Sequence, residues 1–188
     1  MERHQVDTQN SLLLVIDMQI NLAVAMKKDV YATVEKNASL LISSARTLNL
    51  PVVVTEQYTR GLGLTVDPIK SSLGDQYQPI EKLSFSCWNE PRINQTLQTL
   101  AKKSIIIAGI ESHVCVLQTA LDLLSNGYNV HVVSDAACSR YKSDWKCAMS
   151  YLRQAGAIVC TTEIVVFQLL HKAGTPEFKA ISPLFKNR

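Results

Sequence analysis

Short apolar runs alternate with longer amphipathic segments along most of this chain. Leu12 to Ile16 form an uninterrupted apolar run, which is typical of a strand buried on both faces. Residues 30 to 48 instead place their apolar side chains three and four positions apart, which predicts a helix. Alternating strands and helices fold into a parallel sheet covered by helices, so the predicted fold class is α/β.

The alternation continues through the rest of the chain. It predicts strands at residues 52 to 55, 105 to 108, 130 to 133 and 157 to 160, and helices at residues 113 to 125 and 143 to 155. Residues 56 to 86 show no clear period and are predicted to form one long loop. Its apolar side chains predict an interface with another copy of the chain, or a loop folded back on its own domain. They are Tyr58, Leu62, Leu64, Val66, Ile69, Leu73 and Tyr77.

Composition limits the class of protein. The chain has 188 residues, 47% of them hydrophobic, which suits one domain over residues 1–188 with residues 1–10 flexible. A net charge of +3 is too small to predict a nucleic-acid or membrane partner. Five cysteines without C-x-x-C spacing predict free thiols in the cytoplasm, and the N-terminus lacks the apolar stretch of a signal peptide.

Reactive side chains follow two of the predicted strands and one further segment. In open parallel sheets ligands bind beyond the carboxyl ends of the strands. Asp17 closes the first strand, Lys82 follows the segment near Pro79, and Cys115 follows the strand at 105 to 108. We therefore expect an acid, a lysine and a cysteine at one edge of the sheet.

Cys115 has the strongest local case for a nucleophile. Ser112 is expected to cap the next helix, which places Cys115 in the first turn. There the helix dipole would lower the pKa of the thiol, and unpaired N–H groups would face an oxyanion. The spacing favours a small buried core residue equally well.

The other candidate residues also have two interpretations. Asp17 is a general base for the thiol or a cap for the next segment, and Lys82 points into the pocket or into solvent. Cys147 and Cys160 are predicted to be core residues. Cys87 and Cys138, in loops at the same edge, could lie near Cys115, where a resolving thiol is conceivable.

No metal or cofactor is predicted. The histidines lack the spacing of a metal site, and His131 is predicted to be buried in a strand. The phosphate-binding motifs G-x-G-x-x-G and G-x-x-x-x-G-K-[ST] are absent from the sequence.

Three motifs together resemble the isochorismatase-like cysteine hydrolases. They are Ile16-Asp17-Met18-Gln19, Lys82-Leu83-Ser84-Phe85-Ser86 and Gly109-Ile110-Glu111-Ser112-His113-Val114-Cys115. The resemblance implies a three-layer α/β/α Rossmann-like fold with a six-stranded parallel sheet, and a homo-oligomer. Thr55-Glu56-Gln57-Tyr58 with Gly61-Leu62-Gly63 is similar to the small isochorismatase domain-containing proteins of that family.

The resemblance also implies roles for individual residues. Cys115 would be the nucleophile, Asp17 the proton acceptor and Lys82 the third member of a catalytic triad. The backbone N–H groups of Glu111 and Cys115 would form an oxyanion hole that includes a non-proline cis peptide at Ile110-Glu111. The candidates for the substrate pocket are Gln19, Gln57, Tyr58, Phe85 and Ile110.

Two positions depart from the family pattern. Glu56-Gln57-Tyr58 stands where nicotinamidase-like members carry a D-x-H metal motif, so no metal is expected here. Leu22 stands where many members have an aromatic residue. A cysteine at the nucleophile position favours thiol hydrolysis over the cysteine-free vinyl-ether cleavage of true isochorismatases.

These features predict a metal-independent cysteine hydrolase of a small molecule. The bond would be a C–N bond of an amide or carbamoyl group, cleaved through a thioester. One alternative is a non-catalytic interaction or scaffold protein that keeps the hydrolase fold. A ribonuclease or nucleic-acid binder has only the charge of +3 in its favour.

Overall fold

The computed structural model describes residues 4–186, and its centre is one six-stranded parallel sheet of order β3-β2-β1-β4-β5-β6. The strands are β1 (Ser11–Ile16), β2 (Val52–Gln57), β3 (Ile80–Lys82), β4 (Ser104–Ile110), β5 (Asn129–Cys138) and β6 (Ile158–Cys160). The predicted α/β class and six-stranded parallel sheet are thus confirmed.

Successive side chains of each strand point to opposite faces of the sheet. Helices cover both of these faces. The helices are α1 (Ile20–Ala25), α2 (Lys28–Thr47), α3 (Thr59–Leu62), α4 (Asp67–Leu73), α5 (Pro91–Leu100), α6 (Leu117–Ser125), α7 (Lys142–Ala155), α8 (Thr162–Leu170) and α9 (Pro176–Ile181). Buried side chains of α2, α4, α8 and α9 form one core cluster, and those of α5, α6 and α7 form the other. Within residues 4–186, no helix combines the length and apolar character needed to cross a bilayer.

The N-terminal segment contacts the folded domain at Val6. Val6 is fully buried, and its backbone N–H donates to Gln168 Oε1 at 3.2 Å. The flexibility of residues 1–10 stays a prediction, and residues 1–3 lie outside the described part of the chain.

Residues 56 to 86 do not form one long loop. They contain α3, α4 and β3, and Val66, Ile69 and Leu73 are buried against the same chain. Glu56 fixes the segment, because its Oε1 accepts hydrogen bonds from Thr65 N, Thr65 Oγ1 and Tyr77 Oη at 2.6–2.7 Å. The segment thus folds back on its own domain over most of its length. Helices of four and seven residues are too short to show a period in the sequence.

Strand order reverses between β1 and β4: β2 and β3 follow on one side of β1, and β4, β5 and β6 follow on the other. The strands β1 and β4 approach each other closely at this point. Gly109 of β4 pairs with Ile16 of β1 and has a φ of 129°. A Cβ added at Gly109 would lie 2.1 Å from the carbonyl oxygen of Ile16. Only glycine fits this contact, which brings the end of β1 next to the end of β4.

We predict that Gly109→Ala lowers the free energy of unfolding by about 3 kcal/mol or more, because the strained φ adds to a backbone clash. Gly127→Ala is the matched control. Gly127 also has a positive φ, of 80°, but the nearest atom to an added Cβ lies 3.9 Å away. We expect it to cost about 1–2 kcal/mol. Urea unfolding measures both, and equal losses would contradict the steric explanation.

Candidate active site

A buried ion pair lies at the carboxyl ends of β1 and β3. Asp17 directly follows β1, Lys82 ends β3, and their side chains have no exposed surface. Lys82 Nζ lies 2.7 Å from Asp17 Oδ2. The other carboxylate oxygen, Oδ1, accepts a hydrogen bond from Thr55 Oγ1 at 2.7 Å. The backbone of Asp17 is left-handed, with a φ of 50°, and its N–H donates to the Thr55 carbonyl at 3.2 Å.

Lys82 is surrounded by oxygen acceptors. Its ammonium donates to Gln57 Oε1 at 2.6 Å and to the carbonyls of Ser84 and Phe85 at 3.2 Å each. Burial opposes the charged form, but the negative charge of Asp17 leads the opposing effects, and the pKa of Lys82 is raised overall. Lys82 therefore stays charged and does not lie on the solvated surface.

Cys115 lies in a single π-helical turn, Ser112–Val116, between β4 and α6. The side chain belongs to the core cluster on the α5, α6 and α7 face, and the residue is 6% exposed. The pKa of its thiol is raised, first by burial and then by the charge of Asp17, with a hydrogen bond to Asp17 contributing. The predicted lowering of this pKa is wrong, because burial and Asp17 outweigh the helix terminus.

Ser112 does not cap this turn as expected. Glu111 occupies the cap position without a side-chain capping bond, and Ser112 Oγ is buried without a hydrogen-bond partner among the described residues. The peptide bond between Ile110 and Glu111 is cis, as the resemblance implies. Glu111 Oε2 accepts hydrogen bonds from Arg140 N at 3.0 Å and Arg140 Nε at 3.2 Å, and Ile110 is fully buried.

Gln19 and Gln57 are not arranged as open pocket walls. Gln19 is fully buried, and its Nε2 donates to the carbonyls of Gln57 and Gly63 at 2.9 and 2.6 Å. The Oε1 of Gln19 accepts from Gln57 N at 2.7 Å. Gln57 is 8% exposed, and its amide contacts Lys82 and the Leu83 carbonyl. Both amides thus bond to other groups of the protein, and their place in a substrate pocket stays a prediction.

Apolar side chains surround the edge of the sheet where this site lies. Tyr58 is 50% exposed and Phe85 is 53% exposed. They lie after β2 and β3 with other exposed apolar residues of the adjoining segments. We call this set the apolar rim: Ile20, Val24, Tyr58, Leu64, Leu83 and Phe85.

The remaining cysteines differ in burial. Cys160 is buried as expected, but Cys147 is exposed rather than part of the core. Cys87 and Cys138, which were expected in loops at the edge of the sheet, are also buried, and Cys138 is the last residue of β5. Cys87 is close enough to the site for Asp17 to affect it: burial first, then that charge, raises the pKa of its thiol to about 11. His131 is buried in β5, as predicted.

Metal binding has no visible support in the described part of the chain. Between residues 4 and 186, no cluster of three His, Cys, Asp or Glu side chains is arranged to hold a metal ion. Glu56, at the position of the family's metal motif, is 3% exposed, and its carboxylate accepts hydrogen bonds from Thr65 and Tyr77.

The sequence does not predict two contacts of the ion pair, although it names Gln57 as a candidate for the substrate pocket. Thr55 holds Asp17, and Gln57 holds Lys82. Both lie on β2, between the strands that carry the ion pair. Their alternation with Val54 and Glu56 along the sequence indicates that Thr55 and Gln57 point to the same face of the sheet. The sequence does not show which strands lie on either side of β2, so it does not predict these contacts.

The isochorismatase domain family matches residues 11–164, most of the chain. This chain belongs to that family. The secreted isochorismatase effector Isc1 of Phytophthora sojae is 45% identical over 158 residues, covering 82% of this chain and 75% of that protein. Isochorismatase domain-containing protein 2 of Danio rerio is 38% identical over 181 residues, covering 96% of this chain and 89% of that protein.

Solved structures with the same fold carry several names. The MAR1 ribonuclease of Caenorhabditis elegans is 40% identical with a TM-score of 0.88, covering 96% of this chain and 92% of that one. The YcaC gene product of Escherichia coli, an octameric hydrolase of unknown specificity, is 26% identical with a TM-score of 0.88, covering 97% and 90%. YcaC of Pseudomonas aeruginosa, with hexane-2,5-diol and covalent acrylamide, is 25% identical with a TM-score of 0.88, covering 97% and 92%. This chain has the isochorismatase-family hydrolase fold.

We predict that Lys82→Met lowers the free energy of unfolding by about 3–5 kcal/mol, because it leaves the Asp17 carboxylate buried and unpaired. Adding Asp17→Asn to it should recover part of the loss. Lys27→Met is the control, since Lys27 and its partner Asp29 are 71% and 69% exposed and should contribute little. Denaturant unfolding of the four variants of the cycle measures this, and strictly additive losses would contradict the pairing.

Proposed function

We propose that this protein is a metal-independent cysteine hydrolase that cleaves a C–N bond in a small amide or carbamoyl compound. The observation that carries the proposal is the buried ion pair of Asp17 and Lys82, 2.7 Å apart, near enough to the Cys115 thiol for the charge of Asp17 to raise the pKa of that thiol. A nucleophile, a base in contact with it and a group that orients the base are the parts that covalent catalysis needs.

The first half of the reaction forms a thioester. Cys115 Sγ attacks the substrate carbonyl carbon while its proton moves to Asp17, and the carbonyl π electrons move onto oxygen. The backbone N–H groups of Glu111 and Cys115 stabilise that oxyanion. When the intermediate collapses, Asp17 returns the proton to the leaving nitrogen and the C–N bond breaks.

The second half releases the acid. Water attacks the thioester carbonyl, Asp17 takes its proton, and the C–S bond breaks as the proton returns to sulfur. Because the pKa of the Cys115 thiol is raised, the resting cysteine is neutral, and deprotonation accompanies the attack. Lys82 keeps its charge throughout and stabilises Asp17 whenever the carboxylate is ionised.

Covalent acrylamide in a related structure supports a reactive nucleophile in this fold and does not depend on which bond is cleaved. The P. aeruginosa YcaC structure contains covalent acrylamide, which joins an electrophilic carbon to an amide group. We propose that the same type of compound reaches Cys115 here.

A ribonuclease is the second candidate, because the C. elegans structure at 40% identity bears that name. Binding the RNA backbone requires cations that can reach phosphates. Lys82 has no exposed side-chain surface and already pairs with Asp17, so it is not available for that role. The geometry of the site therefore favours the small-molecule hydrolase.

We also propose a homo-oligomer in which a second copy covers the apolar rim. Exposed apolar groups in one area commonly mark an interface. The octameric E. coli YcaC supports this view. The interface differs from the sequence prediction, since Val66, Ile69 and Leu73 are already buried within the chain and only the ends of residues 56 to 86 contribute.

The proposed compartment is the reducing cytoplasm, because all five cysteines are free thiols. The P. sojae relative bears the name of a secreted effector, so family membership does not decide the compartment. Fractionation of cells that make the protein, followed by immunoblotting, tests the proposal, and recovery from the medium alone would contradict it.

We predict that the protein releases ammonia from members of a panel of small amides and carbamoyl compounds, and that Cys115→Ala lowers the rate by about 10³-fold or more. Cys147→Ala, which removes an exposed cysteine, should leave the rate unchanged. Ammonia release is followed with a coupled assay. A panel without turnover would favour the non-catalytic scaffold, and equal rates in both variants would exclude Cys115 as the nucleophile.

We predict that Leu64→Glu dissociates the oligomer and lowers activity in parallel, because a charge would enter the covered rim. Tyr151→Glu is the matched control, since both residues are 51% exposed but Tyr151 lies on α7, away from the rim. Light scattering gives the mass and the ammonia assay gives the activity. A wild-type mass near 20.9 kDa would contradict the oligomer.

A further inference from the structure

We infer that Gln57 is a positioning residue that holds the ammonium of Lys82 against Asp17, and that it does not contact substrate. The inference rests on the proposed function, since positioning has meaning only if Asp17 and Cys115 react. It assigns a role to a side chain that the sequence placed in the substrate pocket.

Strand register places the two side chains together. Gln57 of β2 is the Cα partner of Lys82 on the parallel strand β3, so both side chains lie on the same face of the sheet. Lys82 Nζ donates to Gln57 Oε1 at 2.6 Å, which is as short as the ion pair with Asp17 at 2.7 Å. The two carbonyl contacts of the ammonium, at 3.2 Å, are longer.

Gln57 is itself held at both ends. Its Nε2 donates to the Leu83 carbonyl at 2.7 Å, which requires Oε1 to face Lys82. Its backbone N–H donates to Gln19 Oε1, and its carbonyl accepts from Gln19 Nε2, at 2.7 and 2.9 Å. The motif glutamine, Gln19, therefore fixes Gln57, and Gln57 fixes Lys82.

A neutral amide suits this position better than a carboxylate. The Gln57 oxygen stabilises the ammonium without adding a negative charge. A glutamate here would share Lys82 with Asp17 and would place a second negative charge beside a thiol whose deprotonation Asp17 already opposes. Removing the oxygen altogether would leave the ammonium with one strong acceptor instead of two.

Acrylamide is a probe of this arrangement that does not require turnover. Cys115 Sγ forms a bond to the terminal carbon of the C=C double bond, whose π electrons move to the α-carbon. The thiol proton passes to Asp17 and then to that carbon, so the adduct holds every atom of both reactants. The labelling rate therefore reports how readily Asp17 accepts the proton.

The experiment compares Gln57→Met and Gln57→Glu with Gln95→Met and Gln95→Glu, because Gln95 is exposed on α5. Intact-mass spectrometry follows labelling of Cys115 from pH 6 to 10, with Cys115→Ala as the blank. We expect Gln57→Met to slow labelling about tenfold at neutral pH, the effect of losing a hydrogen bond to a charged group. We expect Gln57→Glu to move the rising limb of the pH profile about one unit higher, and both Gln95 variants to match the wild type.

A purely structural role for Gln57 would lower the melting temperature without moving the pH profile, and that result would overturn the inference. Wild-type behaviour of Gln57→Glu would also overturn it. If Gln57→Met does not fold, the nearly isosteric Gln57→Glu decides. Normal labelling without hydrolysis of any amide would count against the hydrolase alone, whereas an unlabelled wild-type Cys115 would contradict both proposals.

Discussion

The buried ion pair between Asp17 and Lys82 is the interaction on which the rest of the site depends. Two charges without exposed side-chain surface are unfavourable unless nearby groups replace the lost water. Here Thr55 supplies a donor to the carboxylate, and Gln57 and two carbonyls supply acceptors to the ammonium. These contacts also join the ends of β1, β2 and β3. The same hydrogen bonds and ion pair therefore position the side chains of the site and hold this half of the sheet together.

The backbone brings the proposed nucleophile, Cys115, to this pair. At Gly109 the strands β1 and β4 approach too closely for any side chain, and the chain beyond β4 leads directly to Glu111 and Cys115. Asp17 and Cys115 therefore lie at the topological switch point, where strand order reverses between β1 and β4. This is where α/β proteins commonly bind ligands. The acid and the thiol are close because the strands are neighbours, although 98 positions separate them in the sequence.

The alternation of apolar runs with amphipathic segments predicts the α/β class, and the residues directly after the runs include Asp17 and Cys115. Lys82 follows only a short segment near Pro79, which the pattern does not predict as a strand. The strand-end rule does not predict the contacts of Gln19 and Gln57, because hydrogen bonds between β2, β3 and the segment after β1 depend on strand order and register. It also misjudged the pKa of Cys115, because a helix-terminus argument does not include burial or the nearby carboxylate. The short helices α3 and α4 leave no detectable period, which is why the sequence predicts a loop over residues 56 to 86.

The central claim is that Cys115 is a neutral thiol at rest and gives up its proton to Asp17 only as it attacks. Ultraviolet absorbance of the thiolate near 240 nm, taken as the difference between the wild type and Cys115→Ser, tests it directly. Because the pKa of this thiol is raised above its ordinary value of 9.0, no thiolate signal should appear between pH 6 and pH 9. A thiolate signal at neutral pH would contradict the account, since the cysteine would then be ionised before any substrate is bound.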